Sequence, residues 1–275
     1  MQKKLIAAAV AGALVAPSVM ADVSVSGSIR TGVEYTGSDW QVADNFSRLR
    51  FKASSDLGNG QSAYMNYEFR VNSAQGSIVT GDTQRLSYVG IKGDWGSLSL
   101  GAQWSTAFNT VGTFIDKSNR YGGTGNTCIQ YRMRDSVMLS TTLGGLSIMA
   151  DAQMAAGGDD IDRATVGGLM SIGGVSLGAV WQDNGDSDCT GVGASLSLGG
   201  IGLSGGFTDT KNGDSGYGIN ASVAGLWIDY EENDSSDGVI TGSYGIKLGG
   251  GASAIVEISN NGSDTMGIGM LRMDF

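Results

Sequence analysis

The amino-acid sequence predicts an all-β fold, a transmembrane antiparallel β-barrel of about 16 strands. Apolar and polar residues alternate with a period of two along most of the chain, which is typical of strands with one face in an apolar environment. Short glycine-rich connections alternate with longer polar ones. The 275 residues include 46 glycines but one proline, which suits a continuous sheet because proline cannot donate to a strand ladder.

The first 21 residues have the features of a secretory signal peptide. Lys3 and Lys4 precede an apolar run over 5–16, which is too short to span a bilayer as a helix. Small residues at the end of this segment form a cleavage signature. We therefore expect a signal peptide at 1–21 and one barrel domain at 22–275. A chain that crosses the membrane with strands must close into a barrel, because open sheet edges cannot face lipid.

The alternation is clearest in the first strand of the exported chain. One face carries Val23, Val25, Ile29, Val33 and Tyr35, and the other carries Ser24, Ser26, Ser28, Arg30 and Glu34. The same pattern recurs over 145–154, 175–181 and 252–258. A soluble β-sandwich also alternates, so the alternation alone does not place the chain in a membrane.

The connections between these segments indicate which kind of sheet they form. Seven are short and glycine-rich, such as 58–60 and 144–145, and eight are longer and polar. Tight turns at one rim and longer loops at the other are typical of outer-membrane barrels. The fifteen connections divide the chain into sixteen strands. These predicted strands are 22–36, 45–57, 61–72, 83–92, 97–104, 128–142, 145–154, 161–172, 175–183, 189–198, 201–209, 215–223, 226–231, 238–248, 252–259 and 264–275.

Composition narrows the function classes. Histidine is absent, and without the commonest general base an enzyme of this architecture is nearly excluded. We predict no catalytic, cofactor-binding or metal-binding residue. The chain carries 27 acidic and 17 basic residues, a net charge of −10, so nucleic acid is not an expected partner. Cys128 and Cys189 permit one disulfide in an exported protein, and two separate thiols are the alternative.

Seven aromatic residues fall near the loop-side ends of predicted strands. They are Tyr35, Phe46, Trp104, Trp181, Phe207, Tyr217 and Tyr230. Membrane barrels carry an aromatic girdle at this level, although strand propensity also enriches aromatic residues. We favour the girdle.

Three segments of the chain resemble the general porins of Gram-negative bacteria, which are trimeric diffusion channels. The first comprises 47–52 and 56–60, the second comprises 85–93 and 95–101, and the third is the closing strand that ends at Phe275. The resemblance covers the first third of the exported chain and its end. It implies a sixteen-stranded homotrimer in the outer membrane, surrounded by lipid and lipopolysaccharide.

In that family the third loop folds into the lumen and narrows it, and basic wall residues face carboxylates on the loop. The longest unpatterned stretch of this chain, 105–127, follows the fifth predicted strand and is its third loop. The resemblance implies a constriction formed by Arg48, Lys52, Arg85 and Arg134 on the wall, with Arg132 as the alternative to Arg134, and by Asp116 on the loop.

The alternation within the second predicted strand turns a basic face inward without reference to any family. The face that holds Phe51 suits lipid. The opposite face carries Arg48, Arg50 and Lys52, which must face the lumen because a charge on the lipid face costs about 2–4 kcal/mol at the midplane. Glu68 lies on the inward face of the next strand and is an expected partner of Arg48 or Arg50.

Together these features predict an outer-membrane porin that passes small hydrophilic solutes and ions through a water-filled lumen with a charged constriction. A substrate-selective channel and a non-conducting structural barrel or adhesin are the alternatives. The ion preference stays open at the level of the sequence, because the basic wall favours anions and the acidic loops favour cations at the mouth.

Overall fold

The computed structural model describes residues 21–78, 85–157, 161–185 and 187–275. All but the last residue of the predicted signal peptide at 1–21 lies outside this part of the chain. The strands within it are β1 Asp22–Tyr35, β2 Trp40–Asp44, β3 Arg48–Gly58, β4 Gln61–Asn72, β5 Ser77–Ile78, β6 Leu86–Gly93, β7 Gly96–Trp104, β8 Arg132–Leu143, β9 Leu146–Gln153, β10 Arg163–Ile172, β11 Val175–Asp183, β12 Cys189–Leu198, β13 Ile201–Thr210, β14 Ser215–Val223, β15 Leu226–Asn233, β16 Ser236–Gly249, β17 Ala252–Asn260 and β18 Thr265–Asp274.

These strands form a closed antiparallel barrel. Each spanning strand pairs with the next spanning strand along the chain, and β1 also pairs with β18. The sheet therefore has no free edge. β2 and β3 pair with opposite ends of β1 and together make one spanning strand. β5 has two residues and pairs with the end of β4. The described part of the chain therefore contains sixteen spanning strands, which confirms the predicted fold.

The second spanning strand differs from the prediction of 45–57. It begins at Trp40 and is interrupted between Asp44 and Arg48. Phe46 occupies this break with a φ of 59°, a left-handed conformation that ends regular strand pairing. The segment that the sequence pattern assigned to the first loop is therefore partly strand.

Strand β8, the sixth spanning strand, also begins later than predicted, at Arg132 rather than at 128. Residues 126–129 form a local turn, in which the backbone N–H of Ile129 donates to the Asn126 side chain at 2.8 Å and the Asn126 amide donates back at 2.9 Å. Such a side-chain-to-backbone pair competes with strand pairing. The third loop is consequently longer than 105–127 and covers 105–131.

The barrel is apolar outside and polar inside. Val25 and Val33 lie on the outer face and remain exposed, whereas Glu68, Gln182 and Glu257 face inward and are buried. This inverts the arrangement of a soluble protein and suits a barrel in lipid.

No helix within the described residues is long and apolar enough to cross a membrane.

The third loop enters the lumen and folds against the inner wall. It forms a π-helical turn at Phe108–Gly112 and a short helical turn at Thr113–Ile115, which bury Val111, Phe114 and Ile115.

The wall behind these helical turns carries a patch of inward-facing glycines, which we call the glycine wall. Its members are Gly167, Gly178, Gly191, Gly193, Gly206 and Gly218. A Cβ atom on Gly178 would overlap the carbonyl oxygen of Thr110, and one on Gly206 would lie 2.8 Å from Ile115 Cγ1. The missing side chains let the loop rest on the strand backbone, so the open part of the lumen is displaced toward the opposite wall.

Part of the predicted aromatic girdle lies elsewhere. Trp181, Phe207 and Tyr217 are exposed on the outer face. Phe46 and Trp104 instead line a cavity inside the lumen, so assigning them to the girdle was wrong. Phe46 points inward because it lies in the strand break. Trp104 points inward because the backbone twists at Gly101, which has a φ of 124°, and the register with β8 shifts between Gly101 and Gln103.

Candidate functional site

Three arginines surround one buried carboxylate, that of Glu68, on the wall formed by β3, β4 and the start of β6. Strand register places Arg50 opposite Glu68. Glu68 is 1% exposed, and it forms ion pairs with Arg50 and Arg85 and a longer one with Arg48, at 4.0 Å. Three cations thus share one carboxylate, so the wall keeps an excess of positive charge.

This wall and the third loop enclose a cavity of about 430 Å³ in the lumen. Six arginines line it, namely Arg30, Arg48, Arg70, Arg85, Arg120 and Arg132. Asp116, which ends the short helical turn of the third loop, is the carboxylate of the lining. The cavity between wall and loop therefore has an excess of basic residues in its lining.

Aromatic rings orient several of these arginines. The guanidinium groups of Arg85 and Arg132 lie over Trp104, at 5.6 and 5.3 Å from the ring centroid, and that of Arg70 lies over Phe46 at 4.9 Å. Cation–π contacts of this kind attract the charge without neutralising it. These arginines therefore keep their charge available to solutes in the passage.

The loop tip is attached to the wall through buried carboxylates. Glu257 accepts the backbone N–H groups of 119–121 at 2.7–3.0 Å. Glu34 accepts two hydrogen bonds from the Arg120 guanidinium, each of 2.8 Å, and one from the Tyr121 hydroxyl at 3.1 Å. Hydrogen bonds to ionised carboxylates are the strong ones, and these fix the position of Arg120 in the lumen.

Two further carboxylates attach the rest of the loop. Glu231 accepts the N–H groups of Gly123 and Gly125 at 2.7 and 2.9 Å, and Asp151 accepts the N–H of Thr106. Both ends of the loop are thus held to the barrel wall.

The ionisable loop residues have shifted pKa values. Burial raises the pKa of Asp116, and the nearby Glu231 carboxylate raises it further, although Lys117 and Arg132 act in the opposite direction. Burial also lowers the pKa of Lys117. The carboxylate that faces the arginines is therefore less readily ionised than an ordinary aspartate.

A disulfide between Cys128 and Cys189 joins the end of the third loop to the start of β12. The two Cα atoms are 5.6 Å apart, and the residues are 61 positions apart in sequence. Cys189 is buried with Ile129 and Val180. This bond anchors the loop at the point where it leaves the lumen.

The structure brings some of the predicted site residues together and separates others. Arg50 is held by Glu68 beside the cavity, and Lys52 lies exposed one step further toward the turn-side rim. Arg134 is exposed and lies outside the cavity lining, which includes Arg132 instead. Three predicted residues line the cavity: Arg48, Arg85 and Asp116.

Three lining arginines were missed by the sequence prediction. Arg30 lies on the polar face of β1, and Arg70 shares the inward face of β4 with Glu68. The alternation could have identified both as inward-facing. Arg120 lies in the third loop, which has no period, and its contact with Glu34 joins residues 86 positions apart.

A closed barrel with an apolar outer face, a polar lumen and an inserted third loop has the architecture of an outer-membrane β-barrel. The chain matches the sequence profile of the Gram-negative porin family over residues 7–270. It belongs to that family, a family of channels rather than enzymes, and it is an outer-membrane protein.

Individual relatives agree with this assignment. The major outer membrane protein P.IB of Neisseria gonorrhoeae is 35% identical over 129 residues, covering 40% of this chain and 34% of the relative. The chain thus spans about a third of the length of the curated relatives it matches. The match covers one part of each protein, so it shows that the two chains are related and does not extend to their functional details.

Solved structures agree on the fold. An anion-selective porin from Comamonas acidovorans has a TM-score of 0.77 at 17% identity, over 93% of this chain and all of that one. OmpT of Vibrio cholerae, in its trimer form, has a TM-score of 0.73 at 15% identity, over 93% of this chain and 99% of that one. At these identities the likeness concerns the barrel and not its specificity.

Proposed function

We propose that this porin is a passive diffusion channel for small hydrophilic solutes and ions, with a charged constriction that prefers anions. The observation that carries the proposal is the lining of the lumen cavity, which contains six arginines and one aspartate. A ring of fixed positive charge in a narrow pore raises the local concentration of anions and repels cations.

The charge balance of the neighbouring residues supports the anion preference. Glu68 is shared by three arginines, and Glu34 compensates Arg120. Arg30, Arg70 and Arg132 line the same cavity with Asp116. Burial raises the pKa of Asp116, so this single carboxylate loses its charge at a higher pH than an ordinary aspartate does.

The same arrangement supports a transverse field. Five of the lining arginines lie on or beside the wall strands, whereas Arg120 and Asp116 lie on the third loop, where Glu34 compensates Arg120. Water and dipolar solutes would orient along this direction. The field is strongest when Asp116 is ionised and is weaker when it is protonated.

We further propose that the chain forms homotrimers surrounded by lipid and lipopolysaccharide. The trimer form of Vibrio cholerae OmpT and the apolar outer face support this assembly. On the outer face of β3 and β4, Phe51 and Tyr67 contact Phe69 with centroid distances of 6.1 and 4.5 Å, and such an aromatic cluster suits a subunit contact. The mass of the undenatured protein in detergent tests the assembly.

Planar-bilayer recording tests the channel and its preference. We expect stepwise conductance and, in a KCl gradient, a reversal potential with the sign of an anion-preferring pore. A variant with Arg48→Gln and Arg85→Gln should move the reversal potential toward cation preference. The control carries Arg163→Gln and Lys211→Gln, which remove the same charge at the loop-side rim. Absence of conductance steps refutes the channel, and equal shifts in both variants refute the constriction.

A further inference from the structure

The loop-side rim of the barrel is acidic. Apart from the second and third loops, each long loop carries an aspartate among the residues that the structure describes: Asp39, Asp162, Asp188, Asp214, Asp234 and Asp264. Within the same described loop segments the basic residue is Lys211, which pairs with Asp188 at 3.4 Å. A cation that approaches the barrel from this side therefore meets a negative surface before it reaches the arginines.

The lumen is basic at the level of the cavity, where six arginines and one aspartate line it, and mixed in charge toward the turn side. Lys52 continues the inward-facing alternation of Arg48 and Arg50 on β3. Lys92 lies over the Tyr64 ring, with its ammonium 5.8 Å from the ring centroid. Lys247 shares the face of β16 that buries Thr241 and Ser243. Asp56 shares the inward face of β3 with Lys52, and Arg272 pairs with Asp274. The excess positive charge therefore lies at the cavity, below the negative loop-side rim.

We propose that this axial separation of charge makes the channel rectify ionic current. The current is larger when the loop side is at positive potential than at the same voltage of opposite sign. The inference rests on the proposed function as a channel and adds a direction-dependent conductance to it.

The physical reason is the supply of ions at each end of the pore. When the loop side is positive, cations are driven in through the acidic rim that concentrates them, and anions are driven in from the turn side through the basic lumen that concentrates them. The reversed voltage drives each ion through the end that repels it, so both carriers are depleted. Fixed charges act on ions within a Debye length, about 10 Å in 0.1 M salt and 3 Å in 1 M salt.

The test is the current–voltage curve of the full-length protein in a planar bilayer. The orientation is assigned with a Ser235→Cys variant and a bulky membrane-impermeant maleimide added to one chamber, because Ser235 is exposed on a loop-side turn. We expect currents of opposite sign to differ by about 1.5-fold or more in 0.1 M KCl, and to become equal within about a tenth in 1 M KCl.

Two matched variants locate the cause. The rim variant carries Asp39→Asn, Asp234→Asn and Asp264→Asn, and its current ratio should fall at least halfway toward unity. The turn-side control carries Asp22→Asn, Asp56→Asn and Asp94→Asn, which neutralise three acids at the other rim, and its ratio should be unchanged or larger.

Symmetric current in the natural protein at low salt, rectification of the opposite sign, or an equal fall in both variants would overturn the inference. Each of these results leaves the conductance steps intact, so the proposed channel function survives it. A protein without conductance steps overturns the channel function and the inference together.

Discussion

Replacing Glu68 by glutamine should both destabilise the barrel and increase its anion preference. Glu68 is the buried acceptor of Arg48, Arg50 and Arg85. Glutamine keeps the shape of the side chain and removes its charge, so the three guanidinium groups are left to repel one another on one wall.

The expected cost follows from the exposure of the partners. Removing one member of a buried ion pair costs about 3–5 kcal/mol. The side chains of Arg48 and Arg50 are 19% and 29% exposed and face the lumen, whereas that of Arg85 is 8% exposed. Water can therefore compensate part of the loss, and we expect a decrease in the free energy of unfolding of about 3 kcal/mol.

Urea unfolding of the refolded barrel in detergent, followed by tryptophan fluorescence, measures this decrease, and the reversal potential measures the anion preference. Glu232→Gln is the matched control, because Glu232 accepts hydrogen bonds from Tyr217 and Tyr230 on the outer face and should cost about 1 kcal/mol or less. Glu68→Gln combined with Arg85→Gln should recover about half of the loss. A Glu68→Gln barrel as stable as the Glu232→Gln barrel would refute the reasoning.

The remaining predictions concern the third loop. Gly178→Ala should displace the loop, lower stability by about 1–3 kcal/mol and change the single-channel conductance, whereas Gly242→Ala, where a Cβ meets nothing within 4 Å, should change neither quantity. Reducing the bond between Cys128 and Cys189 should lower the free energy of unfolding by about 2–4 kcal/mol; the doubly serine-substituted protein should unfold identically with and without reductant, and any difference there contradicts the assignment. Burial raises the pKa of Asp116, so its carboxylate is protonated at a pH above the ordinary aspartate pKa of about 3.9. Lowering the pH through this range should increase the anion preference of the channel. The Asp116→Asn variant should lack this pH dependence.

The fold was predictable because two local signals agreed along the whole chain. Alternation identified the strands, and the alternation of short and long connections gave their number. The break at Phe46 and the late start of β8 were missed because each depends on local geometry, a left-handed residue and the Asn126–Ile129 turn. The alternation of apolar and polar residues does not indicate either feature.

The site was predictable in part. Alternation shows which face a residue occupies, and on this basis Arg48 and Arg50 were correctly placed inside. The height of a residue along the barrel axis depends on the stagger between strands, which the sequence does not show. Lys52 therefore lies away from the cavity while Arg30, on another strand, lies in it. Trp104 was assigned to the outer girdle because the sequence does not show the twist at Gly101 and the register shift that follows it.

The glycine wall makes the fit of the third loop depend on a strip of bare strand backbone more than on matched side chains. The loop rests on bare backbone and is held by wall carboxylates, by one disulfide and by a small apolar core in which its own residues meet Val180 and Cys189 of the wall. A different loop could be transplanted into this barrel if it is slim enough for the same strip. A barrel with ordinary side chains at these six positions could not accept this loop. The size of the pore in such a family therefore cannot be changed by exchanging the third loop alone. The strand residues behind the loop must also leave room for it.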